Sequence, residues 1–218
     1  MVIKPLVIIG AGNFGREVLA LINRINSVKS DEFIDVIGFV DDNPNVQGTV
    51  IDGKPVLGNI DWINKNNEEF FVTCSIGTGR VRKKVVDKIV HKKRNFLTLI
   101  DPSVIFLNDC HIEDGAIICA NNVISINTKI GVNSIINLSC TVGHDTVIGD
   151  YCTINPGANI SGCVNVGNCC DLGTGSKIIQ GLKIVDNIVV GAGAVVVKSL
   201  DKEGTYVGVP ATMINKRK

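Results

Sequence analysis

From Ile112 onward an aliphatic residue recurs at every sixth position: Ile112, Ile118, Ile124, Ile130, Ile136, Val142, Ile148, Ile154, Ile160, Val166, Leu172, Ile178, Ile184, Val190 and Val196. A period of six is neither the 3.6 of a helix nor the two of a strand. It fits a short strand followed by a corner. Three hexads close a triangular coil of about 18 residues, with the aliphatic side chain pointing inward. Fifteen hexads make about five coils, stacked at strand spacing of ~4.8 Å. Residues 18 apart then lie one above another. The position two before each aliphatic is usually small (Cys110, Ala116, Thr128, Ser134, Cys140), as a corner interior requires. The position after it is often Gly or Asn (Gly131, Asn137, Gly143), which is expected to supply the positive φ of the corners. No coil buries its face alone, so the stack is the folding unit.

The first hundred residues follow a different rhythm. Leu6–Ile9 is an apolar run ended by glycine, as in a buried parallel strand. Phe14 to about Ile25 places Val18, Leu21, Ile22 and Ile25 at helical spacing. Val36–Val40 reads as a second strand, stopped by the turn chemistry of Asp41-Asp42-Asn43-Pro44. A short helix is expected over Ile60–Asn66, a strand over Glu69–Ile76, and a basic helix over Val81–His91. That helix should turn Val81, Val85, Val86, Ile89 and Val90 inward. Phe96–Ile100 completes the set. Alternating strands and helices predict a parallel sheet covered by helices. The expected domains are therefore an α/β unit over residues 1–100 and a parallel β-helix over 101–218, ending in a strand and basic tail from Val207 to Lys218.

Composition narrows the partners. The 218 residues carry a formal net charge of +1, with 45% hydrophobic and 20% charged residues. That excludes wholesale disorder and gives no electrostatic case for nucleic acid or a polybasic membrane contact. No apolar run reaches the ~18 residues of a membrane span, and the N-terminus reads as a first strand, which points to the cytoplasm. Seven of the eight cysteines follow residue 109. Without a CxxC pair, they are expected to be free thiols serving as small apolar residues.

Two places carry candidate chemistry. Gly10-Ala-Gly-Asn-Phe-Gly15 follows a strand and opens a helix, where backbone amides favour a phosphate. Asp41 and Asp42 end the second strand, where a ribose or base could be held, and Gly77-Thr-Gly79 leaves the third on the same edge. The other reading is a tight strand–helix turn without a ligand. The second place is His144, on the outer wall at a corner and followed by Asp145. An imidazole beside a carboxylate can be oriented and made a better base; an exposed corner ion pair is the alternative. His91 reads as a solvated helix end and His111 as structural. A zinc site built from histidines is not expected, since His111 and His144 are not separated by a multiple of 18 and His91 lies outside the repeat.

The chain resembles the hexapeptide-repeat sugar acetyltransferases of the PglD and NeuD type along essentially its whole length. The motifs are Gly10–Gly15, Asp41-Asp42, Ile76-Gly77 followed by Arg80-Val-Arg-Lys-Lys84, Gly143-His-Asp145, Val190-Gly-Ala-Gly-Ala194 and Val207-Gly-Val-Pro-Ala211. The resemblance implies a Rossmann-like amino-terminal domain and a left-handed helix. It implies acetyl-CoA as cosubstrate, no metal, and a homotrimer. His144 becomes the general base and Asp145 its supporting acid. Gly12, Asn13, Phe14, Asp41, Asp42 and Gly77 match the nucleotide-sugar site. The chain departs from the family's pattern near Asn13-Phe14, where relatives often carry a second histidine or glycine, and at Thr212, where Lys or Arg is common.

Spacing adds four residues as candidate cosubstrate contacts. Gly162 stands 18 after His144, where its bare backbone would admit a thioester and its N–H could serve as oxyanion donor. Thr174 and Ala192, again 18 apart, form a small-residue column for a pantetheine arm. Thr153 lies on another face and would reach the site across a subunit boundary, as in the family's trimers. Ordinary wall packing explains Gly162 and Ala192 equally well. The expected reaction is direct N-acetylation of a nucleotide-linked 4-amino sugar. O-acetylation of a sialic-acid-type sugar and a non-catalytic or NAD-dependent nucleotide-binding protein are the alternatives.

Overall fold

The computed structural model describes residues 2–91 and 94–214. The chain divides into two compact units. One runs to Gly77 and takes in Val81–Pro102; the other takes in Thr78–Arg80 and resumes at Ser103.

The first unit is a mixed sheet with helices. Its elements are β1 (Val2–Ile9), α1 (Asn13–Val28), β2 (Glu32–Val40), β3 (Val50–Ile51), β4 (Lys54–Gly58), α2 (Ile60–Lys65), β5 (Phe71–Cys74), α3 (Gly79–Val86) and β6 (Asn95–Phe96). The strand order is β3-β4-β2-β1-β5-β6. All neighbours are parallel except β3 with β4. The β3–β4 hairpin turns through Asp52-Gly53, both at positive φ. Leu6, Val7 and Ile8 have no exposed surface, because β1 is central and covered on both faces. The final basic helix is shorter than expected, since α3 stops at Val86. Val81 and Val90 face solvent rather than the core. Arg82 is the side chain that turns in: it is fully buried and donates to the carbonyls of Ile76 and Gly77.

The second unit is a left-handed parallel β-helix of two-residue strands on three faces. Face one runs through Ile117–Ile118, Ile135–Ile136, Thr153–Ile154, Asp171–Leu172 and Val189–Val190. Face two runs from Ile105–Phe106 through Val123–Ile124, Thr141–Val142, Asn159–Ile160 and Lys177–Ile178 to Val195–Val196. Face three runs from His111–Ile112 through Lys129–Ile130, Val147–Ile148 and Asn165–Val166 to Lys183–Ile184. Each strand residue pairs with the one 18 positions on, as Thr141 does with Asn159. Every aliphatic of the series from Ile118 to Val196 is buried; Ile112, in the first coil, is half-buried. Thr205–Val207 and Thr212–Ile214 close the stack as an antiparallel pair, while the basic tail Lys216-Arg217-Lys218 lies outside the described residues.

The corners differ from the sequence reading. Positive φ falls three residues after each aliphatic, at every sixth position from Asp109 to Gly193, and includes Asn127, Ser139, Asp145 and Cys163. The glycines directly after the aliphatics serve another purpose. A Cβ on Gly131 would stand 2.6 Å from the backbone of Gly149, and one on Gly143 would stand 2.4 Å from the nitrogen of Gly162. They are bare because adjacent coils approach too closely for a side chain.

Candidate functional site

In the first unit, the loops after β1, β2 and β5 leave the same edge of the sheet. Gly10, at φ 100°, makes the turn, and Gly15 allows α1 to pack on it: a Cβ there would stand 2.2 Å from the Gly10 carbonyl oxygen. Gly12 caps α1 without a side-chain hydrogen bond, and no acidic residue occupies the first turn. The N–H groups at this helix start remain available to an anion.

Asp41 and Asp42 do more than the sequence suggested. Asp41 accepts from the Ala11 amide at 2.8 Å and from the Asn43 amide at 2.8 Å, tying two loops together. Asp42 accepts from the Ile60 amide at 3.1 Å and pairs with Lys88 at 2.9 Å. The Lys88 ammonium first, and the Ile60 N–H second, hold the Asp42 carboxyl below the usual carboxylate range. A cavity of about 530 Å³ opens beside them, with Ile60, Ile76 and Val85 as apolar wall and Lys84 and Lys88 as cations. Gly10 lines it; Gly12, Asn13, Phe14 and Gly77 do not. Sequence reasoning gave Lys84 no role of its own within the Arg80–Lys84 motif, and it missed Lys88, which lies in the turn that follows α3. Gly77 is exposed, with its carbonyl held by Arg82 at 3.0 Å.

In the second unit, His144 and Asp145 form a corner between faces two and three. His144 Nδ1 lies 2.8 Å from Asp145 Oδ2. The Asn127 side-chain amide, one coil earlier, donates to Asp145 Oδ1 at 2.7 Å. That bond, and then the one to His144, lower the Asp145 pKa. An ionised carboxylate only accepts, so the shared proton belongs to Nδ1 and the lone pair to Nε2. Asn127 was not singled out from the sequence, yet its place 18 residues before Asp145 gives it away. His111, expected to be structural, is exposed and paired with Glu113 at 3.0 Å.

The ring of His144 lies against Gly162. A Cβ on Gly162 would stand 2.5 Å from Nε2 and 2.7 Å from Cε1. The Gly162 N–H has no acceptor among the described residues. At the next corner, the equivalent amides of Val132, Asp150 and Asn168 are capped by the side chains of Asp150, Asn168 and Asp186. The His144 corner lacks such caps. Thr174 and Ala192 are exposed and stacked, but they occupy the corner at the far edge of face two and not the His144 column. Between the two corners runs a polar ladder in which Asn159 donates to Thr141 at 2.9 Å and Lys177 donates to Asn159. Thr153 is not brought to this site. It is buried on face one, between Ile135 and Asp171, so its hydroxyl is already covered within the chain.

None of the eight cysteines is held in a disulfide, and among the described residues no helix is long and apolar enough to cross a membrane.

Comparison with known proteins yields a domain match and several full-length structural matches. The profile of the PglD N-terminal domain matches residues 5–89. No curated protein sequence matches the chain. The structure of WeeI from Acinetobacter baumannii is 33% identical, with a TM-score of 0.86 over 97% of this chain and 100% of WeeI. A variant of perosamine N-acetyltransferase from Caulobacter crescentus, with one histidine replaced by asparagine, was solved with CoA and GDP-perosamine. It is 27% identical, with a TM-score of 0.86 over 98% of both chains. The acetyltransferase domain of PglB from Neisseria gonorrhoeae, solved with acetyl coenzyme A, is 27% identical, with a TM-score of 0.85 over 97% of this chain and 99% of that one.

Proposed function

The chain belongs to the PglD-type sugar acetyltransferases, and from that membership we propose that it transfers acetyl from acetyl-CoA to the amino group of a nucleotide-linked 4-amino sugar. The observation that carries the mechanism is the His144 ring, tied through Nδ1 to an ionised Asp145 with Nε2 left free over a bare glycine.

An amine attacks only when neutral, so a base must remove a proton. Nε2 of His144 takes it as nitrogen bonds to the thioester carbonyl carbon. Asp145 stabilises the imidazolium that forms, and Asn127 keeps the carboxylate in place. The uncapped Gly162 N–H is the donor for the tetrahedral oxyanion. Collapse breaks the carbon–sulfur bond, and the departing CoA thiolate receives the proton from His144. No covalent acetyl-enzyme is required. The same proton balance would serve a hydroxyl acceptor.

The cavity beside Asp41 and Asp42 suits the nucleotide: apolar walls for a base, carboxylates near a ribose, and Lys84 for the diphosphate. Perosamine N-acetyltransferase was solved with a GDP-linked amino sugar, which supports the substrate class. The pantetheine arm is assigned to face two, towards Thr174 and Ala192. The working assembly is a homotrimer. Exposed Ile105, Val123, Ile126 and Leu138 on face two and its corners are the apolar surface that assembly would cover. Acetyl-CoA supply and cysteines outside any disulfide fit a cytoplasmic enzyme.

The test is to offer acetyl-CoA with UDP-, GDP- and dTDP-linked 4-amino sugars and, separately, with a sialic acid. Acetylation confined to an amino-sugar nucleotide is expected. Acetylation of the sialic acid alone would move the acceptor from amine to hydroxyl.

A further inference from the structure

Asp145 and Cys163 occupy equivalent corners of successive coils, 18 residues apart, both in the left-handed region at φ 57° and 58°. The Cys163 N–H donates to the His144 carbonyl at 2.8 Å, which fixes the register between them. This stacking brings three different donors together. One ligand atom from each of His144, Asp145 and Cys163 lies within 4.8 Å of the other two, and all three residues are exposed.

We propose that His144, Asp145 and Cys163 form a binding site for a thiophilic divalent cation of the Zn²⁺ class, and that its occupancy shuts off acetyl transfer. Imidazole, carboxylate and thiolate together are a donor set for a borderline-soft cation; Mg²⁺ and Ca²⁺ select all-oxygen sets. Three protein ligands leave a fourth, solvent-facing position for water. Binding replaces the Cys163 thiol proton, which leaves to solvent. Either ring nitrogen then gives the same consequence. If Nε2 is the ligand, its lone pair is taken. If Nδ1 is the ligand, its proton moves to Nε2. In both cases the lone pair that would accept the amine proton is gone. The binding stands on the donor geometry alone; the inhibition rests on His144 acting as the base.

The test uses the full chain without a histidine tag, stripped with chelator and titrated with Co²⁺ as a spectroscopic stand-in for Zn²⁺. The wild type should develop a near-ultraviolet thiolate-to-cobalt charge-transfer band, which Zn²⁺ abolishes. In Cys163→Ser the band should vanish and affinity should fall by at least the ~10–100-fold that loss of a supporting group costs a metal site. Serine suits this corner, since Ser139 holds an equivalent one at φ 57°. No band in the wild type, or the same band in the serine variant, overturns the site and leaves the base assignment untouched. Acetyl transfer is then followed with Zn²⁺ at saturation. Loss of rate in the wild type, restored by chelator and absent in Cys163→Ser, is expected. Full activity with the site filled would overturn the inhibition while leaving the site.

Discussion

Gly162 sets how closely the His144 ring can lie to the next coil, and no other residue type fits there. A methyl group in Gly162→Ala would stand 2.5 Å from Nε2, so the ring must swing off its position. A displacement of about 1 Å at a reacting centre is worth on the order of 10²-fold in rate. We expect kcat to fall by about that factor with little change in thermal stability, because the displaced ring moves into solvent. A loss of folding with unchanged specific activity would contradict this. The Asp145 carboxyl, lowered chiefly by Asn127 and then by His144, has a folded pKa below its unfolded one. Its interaction is present above the ordinary carboxylate range and is lost only as pH falls through that depressed value. Asp145 is thus ionised at neutral pH and below it, until that depressed value is reached. The acid limb of kcat/KM should therefore follow a single proton, and a two-proton fall would contradict the assignment. Thiol labelling offers a separate check. Burial pushes Cys74 and Cys140 up to about 11, which keeps them as unreactive thiols at neutral pH. Alkylation followed by mass spectrometry should mark exposed Cys163 before either of them.

Individual coils are held by interior side chains, and this is where the sequence was easiest to read. An aliphatic with no room to face outward must recur at the period of the coil, so the phase from Ile118 to Val196 was visible without coordinates. The corner backbone was not. Asp109, Ser139, Tyr151 and Cys163 all adopt positive φ, and none of them signals it as glycine would. The glycines that did stand out, such as Gly131 and Gly143, answer to coil–coil contact instead. In the first unit, Val81 and Val90 looked like a core stripe, yet α3 ends before Val90 and buries Arg82. A guanidinium with carbonyls to satisfy outranks periodicity there. The β3–β4 hairpin escaped because β3 has only two residues and leaves no alternation to detect, although Asp52-Gly53 is favourable turn chemistry. Two substitutions test these elements by urea unfolding. Ile154→Ala, at a fully buried position, should cost about 2–5 kcal/mol. Arg82→Met should cost about 1–3 kcal/mol, by leaving the Ile76 and Gly77 carbonyls without their donor. A silent Arg82→Met would show that the loop before α3 is held by something else.

Across the whole molecule, the candidate site was legible in part. Gly143-His-Asp145 and the spacing to Gly162 were readable, because stacking by 18 turns sequence separation into proximity. Asn127 and Cys163 obey the same arithmetic but carry no motif. Thr153 is covered within its own chain, and burial of that kind cannot be read from a period. The exposed apolar residues of face two make assembly a testable property. Leu138→Asp places a carboxylate within that surface, and sedimentation should show smaller species with reduced acetyl transfer. An unchanged mass would remove this face from the interface.

The base assignment is tested most directly by the initial rate of acetyl transfer to the preferred amino-sugar nucleotide by His144→Ala, measured beside the wild type at saturating acetyl-CoA. General-base catalysis of this kind is worth ~10²–10⁴-fold. The account predicts a loss of that size, with oligomeric state and melting temperature preserved. A variant turning over at the wild-type rate would contradict it.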